Sequence, residues 1–209
     1  SKSAFSAEYS LATFSVDVTI PLNHRCMGVL PTKSKRIADS LYAHGFVLNG
    51  GPKPVVLCAL DWCEIRNGAF EQWRTALAEA ADTTVAHVLV TALHQHDAPV
   101  VDLDAQRLLD KVGLPNELYQ VDWHDKTLAR VAQAVKDSLD FTSPVTHYGT
   151  SEVEVERIAS NRRVVLESGV ITYGRGSRSG GNDFMAKAPE GAIDQMLKTI
   201  TFFNGDKPL

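Results

Sequence analysis

A chain of 209 residues, 44% hydrophobic and 22% charged, is long enough to bury one sizeable core and reads as a single domain over 1–209. Its formal net charge of -4, with no basic stripe and no aromatic–basic interleaving, argues against nucleic-acid binding. Apolar runs fall far short of a transmembrane segment, and no charged-then-apolar leader opens the sequence, so a signal peptide is expected to be absent or already removed.

Alternation of Phe14, Val16, Val18 and Ile20 with polar neighbours predicts a strand over Leu11–Ile20. An irregular loop holding Pro21, Asn23, Gly28 and Pro31 follows. Strands are expected at Ser40–Leu48 and Val55–Leu60, joined by Asn49-Gly50-Gly51-Pro52, whose Asn-Gly pair signals a hairpin. The second of these ends on Asp61-Trp62-Cys63-Glu64. Phe70, Trp73, Ala76, Leu77 and Ala80 recur at helical spacing, which predicts a helix over Asn67–Ala81. Cys26, Cys58 and Cys63 are odd in number and lack paired metal spacing; no disulfide framework is expected, and Cys58 reads as packed within its strand.

The apolar run Ala86–Leu93 reads as a buried strand that delivers His94-Gln95-His96 and ends at Pro99. If the extended backbone holds through the motif, alternation puts both imidazoles on one side. Two imidazoles at the end of a buried strand are what a catalytic metal site needs from its first ligand segment, although such a site usually takes three protein ligands. A surface pair or a packed, hydrogen-bonded pair is the alternative. Beyond Pro99 an acidic stretch holds a short helix near Ala105–Lys111. Asp122–Leu139 is the best helix, striped by Leu128, Val131, Ala132, Val135 and Leu139, with Asp122 as a plausible cap. Pro144–Glu156 reads as a strand with alternating carboxylates. Tyr173–Asn182, rich in glycine and serine, matches no phosphate-binding fingerprint and reads as a surface loop. Thr199–Phe203 is a strand, and Asn204–Lys207 a hairpin turn with no returning strand, so the domain is expected to be incomplete at its C-terminal end.

Taken in order, these motifs resemble the N-terminal part of the neutral/alkaline non-lysosomal ceramidase family. Asp17-Val18-Thr19 and Cys26-Met27-Gly28 resemble its opening Asp-x-Thr and Met-Gly. Leu41–Leu48 and Val56–Asp61 resemble two of its strands. Val90–Pro99 is similar to its Thr-His-Thr-His-Ser-Gly-Pro motif, Ser160-Asn161-Arg162 to its Asn-Arg, and Asp194–Phe203 to a further core strand. The resemblance implies an α/β fold, a mixed β-sheet core with covering helices, as the N-terminal portion of a ceramidase-like catalytic domain. It implies a zinc-dependent amidohydrolase acting on ceramide or a related small-molecule or lipid N-acyl substrate.

Carried over by position, it makes His94 a Zn2+ ligand, His96 an acid/base group and Arg162 the cation that polarises the substrate, with the remaining ligands beyond Leu209. Arg163 stands where the family has a small residue, so which arginine faces inward is open. His24, His44, His87, His124 and His147 are expected to be structural or on the surface. Gln95, Asp97 and Ala98 depart from the motif; Asp97 adds a carboxylate beside His96 that could raise its pKa or reach the metal. Two other readings stay open: a ceramidase-like scaffold acting on a different ester or amide, and a non-catalytic binding domain with a structural metal. The resemblance is compatible with export, extracellular or periplasmic; the residues themselves fix no compartment and no oligomeric state.

Overall fold

Three strands form where the sequence alternates, and they pair antiparallel in chain order. They are β1 (Tyr9–Asp17), β2 (Tyr42–Asn49) and β3 (Val55–Leu60). This is a computed structural model, and it describes residues 9–27, 32–176 and 182–209. The described residues fall into two compact units, one up to Thr146 that resumes at Phe203–Lys207, the other His147–Phe202.

The remaining elements of the first unit are β4 (Glu64–Arg66), α1 (Asn67–Ala80), β5 (Val88–Ala92), β6 (Val100–Asp102), α2 (Leu103–Lys111), α3 (Val121–Ser138) and β7 (Ser143–Val145). The main sheet runs β5-β3-β2-β1-β7. Only β5 lies parallel, against β3, and α1 makes the crossover that a parallel pair requires. In β3 the residues Val56, Cys58 and Leu60 are buried in alternation, as are Val88 and Val90 in β5. These side chains meet Trp73 and Leu77 of α1 and Val131 and Val135 of α3 in one core. The mixed α/β class read from the sequence is the fold observed.

At the centre of the sheet Gly45 pairs with Phe14 on one side and Cys58 on the other. A Cβ there would lie 2.3 Å from Phe14 Cζ and 2.2 Å from the Leu57 carbonyl oxygen. The Phe14 ring thus occupies the space that any larger residue would need.

Several boundaries differ from the sequence expectations. β1 ends at Asp17 rather than Ile20, because the carbonyls of Val18 and Thr19 accept the indole N–H groups of Trp62 and Trp123, each at 3.1 Å. The predicted loop around Asn23 is partly ordered by a bridge between Arg25 and Lys33, both of which pair with Glu117; Gly28 and Pro31 lie outside the described residues. Asp122 is not the cap of α3. It sits within the first turn, and the Val121 N–H is satisfied by Asn116 Oδ1 at 3.1 Å. The strand expected over Pro144–Glu156 splits after Val145, where Thr146 N–H turns to the Phe203 carbonyl at 2.8 Å.

In the second unit β8 (His147–Glu154) joins β11 (Met196–Asn204) and β12 (Lys207–Pro208) in the order β12-β11-β8. The terminal turn therefore does have a short returning strand. β9 (Val164–Val165) pairs with β10 (Ile171–Thr172), and α4 spans Asp183–Lys187. Of the predicted Gly/Ser-rich loop, residues 177–181 lie outside the described residues.

The first unit also buries two histidines. His124 donates from Nδ1 to Asp125 at 3.0 Å while its Nε2 accepts the Trp73 indole at 3.0 Å. His24 donates from Nδ1 to its neighbour's carbonyl at 2.8 Å, and its Nε2 accepts the Gln120 N–H at 3.2 Å. Both rings are neutral, since a second proton on either would face a donor. Burial pushes both pKa values below the ordinary imidazole value.

Two outcomes follow for stability. Gly45→Ala forces Phe14 aside and should cost about 1–3 kcal/mol in urea unfolding; a neutral substitution would show that the sheet opens there at no cost. Because the folded pKa values are depressed, the histidine contribution is complete above the unfolded pKa of about 6.5 and is lost as pH falls below it. Each imidazole then removes up to about 1.4 kcal/mol per pH unit. The melting temperature should drop between pH 7.5 and pH 5.5, less steeply in His124→Gln. A flat profile over that range would refute the neutral assignment.

Candidate metal centre

Because β3 and β5 run parallel, the segments that follow them emerge at the same sheet edge. The pairing continues for one more rung, with Leu93 N–H donating to the Leu60 carbonyl at 3.1 Å. The two segments separate and then pair again, β4 with β6 in parallel register from Glu64 opposite Val100 to Arg66 opposite Asp102. At that junction the N–H groups of Cys63 and Glu64 both donate to the Pro99 carbonyl, at 3.0 and 3.3 Å. The Ala98 carbonyl accepts the Met27 N–H at 2.8 Å. Residues 61–63 and 93–99 are therefore two loops clamped at both ends.

Trp62 holds the first loop from below. It is fully buried and packs on Trp73 and Trp123 with ring centroids 5.2 and 5.4 Å away. Removing a tryptophan side chain from such a position costs about 3–5 kcal/mol, so the loop has little freedom to shift.

The second loop carries the motif, and its backbone is not the extended one expected from the sequence. β5 stops at Ala92, and His94 has φ +62°. That left-handed geometry costs a non-glycine residue about 1–2 kcal/mol, although histidine is among those that adopt it more often. The imidazoles of His94 and His96 come together all the same, edge to face, with centroids 5.1 Å apart. Gln95 tightens the turn by accepting the Asp97 N–H on Oε1 at 3.1 Å.

The bend at His94 aims its Nδ1 at the first loop. Cys63 Sγ lies 3.8 Å from it and Glu64 Oε1 3.7 Å. Among the described residues, Cys63, Glu64 and His94 form the group of possible metal donors whose ligating atoms lie within 4.8 Å of one another. Arg66 forms an ion pair with the other Glu64 oxygen, Oε2, a buried atom that accepts no hydrogen bond among the described residues. Burial, and then the Glu64 carboxylate, push the Cys63 thiol up in pKa, with Arg66 opposing. The His94 side chain is 61% exposed, so the cluster is open on the imidazole side. One sulfur, one oxygen and one nitrogen are a donor set suited to zinc.

Cys63 and Glu64 were not among the candidates read from the sequence. The signal that marks them is their place just after a buried strand, and it becomes informative only once that strand is known to lie parallel to β5.

A cavity of about 750 Å³ borders the same loop. Its wall takes Asp61, Leu93, Gln95 and Asp97 from the sheet edge and residues 32–41 from the opposite side; His94 and His96 are not part of it.

Arg162 belongs to the second unit, in the loop after β8, and is exposed there together with Arg163. Asn161 explains the pairing of asparagine with arginine. Its N–H donates to the Glu190 carbonyl at 2.7 Å, its Nδ2 to the Ala192 carbonyl at 3.0 Å, and its Oδ1 accepts the Arg163 N–H at 2.9 Å. The asparagine fixes the turn, and the arginines project from it. The other histidines are structural or peripheral: His24 and His124 are buried, while His44 and His147 are exposed.

No family model matches this chain, and no curated protein matches its sequence. Solved structures do. A ceramidase complexed with C2 superposes with a TM-score of 0.66 at 14% identity, over 96% of this chain and 29% of that one. The neutral ceramidase of Pseudomonas aeruginosa gives 0.64 at 14% identity, over 97% of this chain and 30% of its own. At such identity the likeness is one of fold, and the chain spans less than a third of the length of these neighbours. This chain has the fold of part of a neutral ceramidase.

Proposed function

We propose that this chain forms part of a zinc-dependent hydrolase that cleaves the amide of ceramide or a related N-acyl substrate. The observation that carries the reading is the sheet-edge cluster. A nitrogen, an oxygen and a sulfur donor converge at His94, with a second imidazole against it, in a fold shared with neutral ceramidases.

His94 serves as a metal ligand, with Cys63 and Glu64 as the donors beside it. When bound, zinc lowers the pKa of a water toward ~7 and polarises a carbonyl oxygen. His96 is the proton carrier. Its imidazole takes the proton from the attacking water and returns it to the departing nitrogen, a role worth about 10²–10⁴ in rate. On the resemblance alone, Arg162 is the candidate for the cation that would stabilise a developing oxyanion. Asn161 holds the turn from which Arg162 projects. The cavity beside the loop, about 750 Å³, falls within the range of small-molecule sites.

One observation favours a substrate other than ceramide itself. Gln95 and Asp97, which depart from the family motif, both line that cavity. A carboxylate and an amide there favour a substrate with a polar group at that edge, beside a lining that is otherwise mostly apolar.

Elemental analysis and hydrolysis assays on the longest native form of the protein test the reading. Near one zinc per chain is expected, lost in His94→Ala. Turnover of a short-chain fluorescent ceramide, or of another member of an N-acyl panel, should stop on chelation. His96→Ala should lower kcat by about 10²–10⁴ while leaving zinc bound, and Arg162→Ala by about 10²–10³. Bound zinc with no turnover of any N-acyl compound would leave the metal a structural role, and absence of stoichiometric zinc would end the hydrolase reading.

A further inference from the structure

The cavity beside the loop after β5 has its charges sorted by wall. Most of its lining is apolar, with Ile20, Leu41 and Leu93 among the residues that face it. The sheet-edge wall adds two carboxylates, Asp61 and Asp97, together with the Gln95 amide. One Asp61 oxygen, Oδ2, accepts the Tyr42 N–H at 2.8 Å. The Asp97 carboxylate makes no hydrogen bond or ion pair among the described residues.

The opposite wall, residues 32–41, carries Lys33, Lys35, Arg36 and Asp39. Lys33 is already matched, since its Nζ lies 3.2 Å from Glu117 Oε2. Lys35 and Arg36 are exposed and pair with no carboxylate among the described residues, so two cations stand there against the single carboxylate of Asp39. The cavity thus separates a negative wall from a positive one, and the field between them is unspent. A neutral head gains nothing from that field, and a singly charged head is attracted to one wall and repelled by the other. A head that carries both charges meets a partner on each side, and an apolar lining strengthens both contacts.

We propose that this cavity takes an N-acyl compound with a zwitterionic head, its ammonium group at Asp61 and Asp97 and its anionic group at Lys35 and Arg36. The N-acyl part rests on the hydrolase reading; the charge of the head is what the cavity walls add to it. The apolar lining receives the aliphatic part of the ligand. A carboxylate, as in an acylated diamino acid, and a phosphate, as in a phosphocholine head, supply the same pair of charges.

Calorimetric titration of the 209-residue chain with four N-hexanoyl ligands tests the two walls separately, with any turnover stopped by a chelator. Nα-hexanoyl-lysine carries both charges, Nα-hexanoyl-norleucine the carboxylate alone, Nα-hexanoyl-lysinamide the ammonium alone and Nα-hexanoyl-norleucinamide neither. Hexanoyl-lysine should bind at least about tenfold tighter than either singly charged ligand, by a margin that narrows as salt is raised. Asp97→Asn should reduce the preference for lysine over norleucine at least about threefold and keep the preference for lysine over lysinamide. Lys35→Met combined with Arg36→Met should do the reverse. A variant that has lost its fold loses both preferences together, so misfolding does not produce this crossed pattern.

Hexanoyl sphingosylphosphocholine below its micellar concentration identifies the anion: tighter binding than hexanoyl-lysine assigns a phosphate head, and weaker binding a carboxylate. Equal affinity for the four ligands, tightest binding of a singly charged or neutral one, no binding of any, or preferences that both variants leave unchanged would overturn the proposal. Stoichiometric zinc without a charge preference removes this proposal and leaves the hydrolase reading in place. A charge preference in a chain that holds no zinc removes the hydrolase reading and keeps the assignment of the head.

Discussion

The parallel pairing of β3 with β5 is the constraint on which the rest of the first unit depends. An antiparallel neighbour would have sent the segment after β5 to the far end of the sheet. Parallel pairing instead places residues 61–66 and 93–102 side by side, and it obliges the chain to cross over through α1. The second parallel pair, β4 with β6, then closes the two loops at their far ends. What lies between is a short span whose backbone has two fixed boundaries, and the side chains that emerge from it converge because they have few other directions to take.

The floor beneath that span is aromatic. All three tryptophans of the chain, with Tyr119, His24 and His124, form a continuous set of ring contacts. Each indole N–H is used, Trp62 and Trp123 on the carbonyls that end β1 and Trp73 on His124. The packing therefore does more than bury area. It ties the loop that carries Cys63 and Glu64 to the end of β1 and to the start of α3, so that the donors rest on the most completely buried part of the unit.

Much of this was legible in the residues. The hairpin at Asn49-Gly50 and the helices α1 and α3 follow from turn chemistry and 3.6-residue periodicity, and each lies within a residue or two of its expected bounds. Local pattern also placed the histidine pair at a sheet end. Its geometry was harder to read: alternation presumes an extended backbone, and the left-handed bend at His94 reaches the same meeting of rings by another path. Cys63 and Glu64 could not be read at all as neighbours of His94, because strand order and direction are long-range facts. The early end of β1 has the same origin, since the indoles that take its carbonyls come from residues 62 and 123.

The loop after β5 divides its labour by position. Even-numbered residues bring the imidazoles to the donor cluster, and odd-numbered ones line the neighbouring cavity. Two sets of side chains thus leave one five-residue span in different directions. Asp97 lines the cavity through its side chain alone, whereas Gln95 lines it and also closes the turn by accepting the Asp97 N–H, so a change at 95 reaches the imidazoles and a change at 97 need not. One loop thus carries a residue that couples the cavity wall to the imidazole pair and, two positions on, a residue that does not.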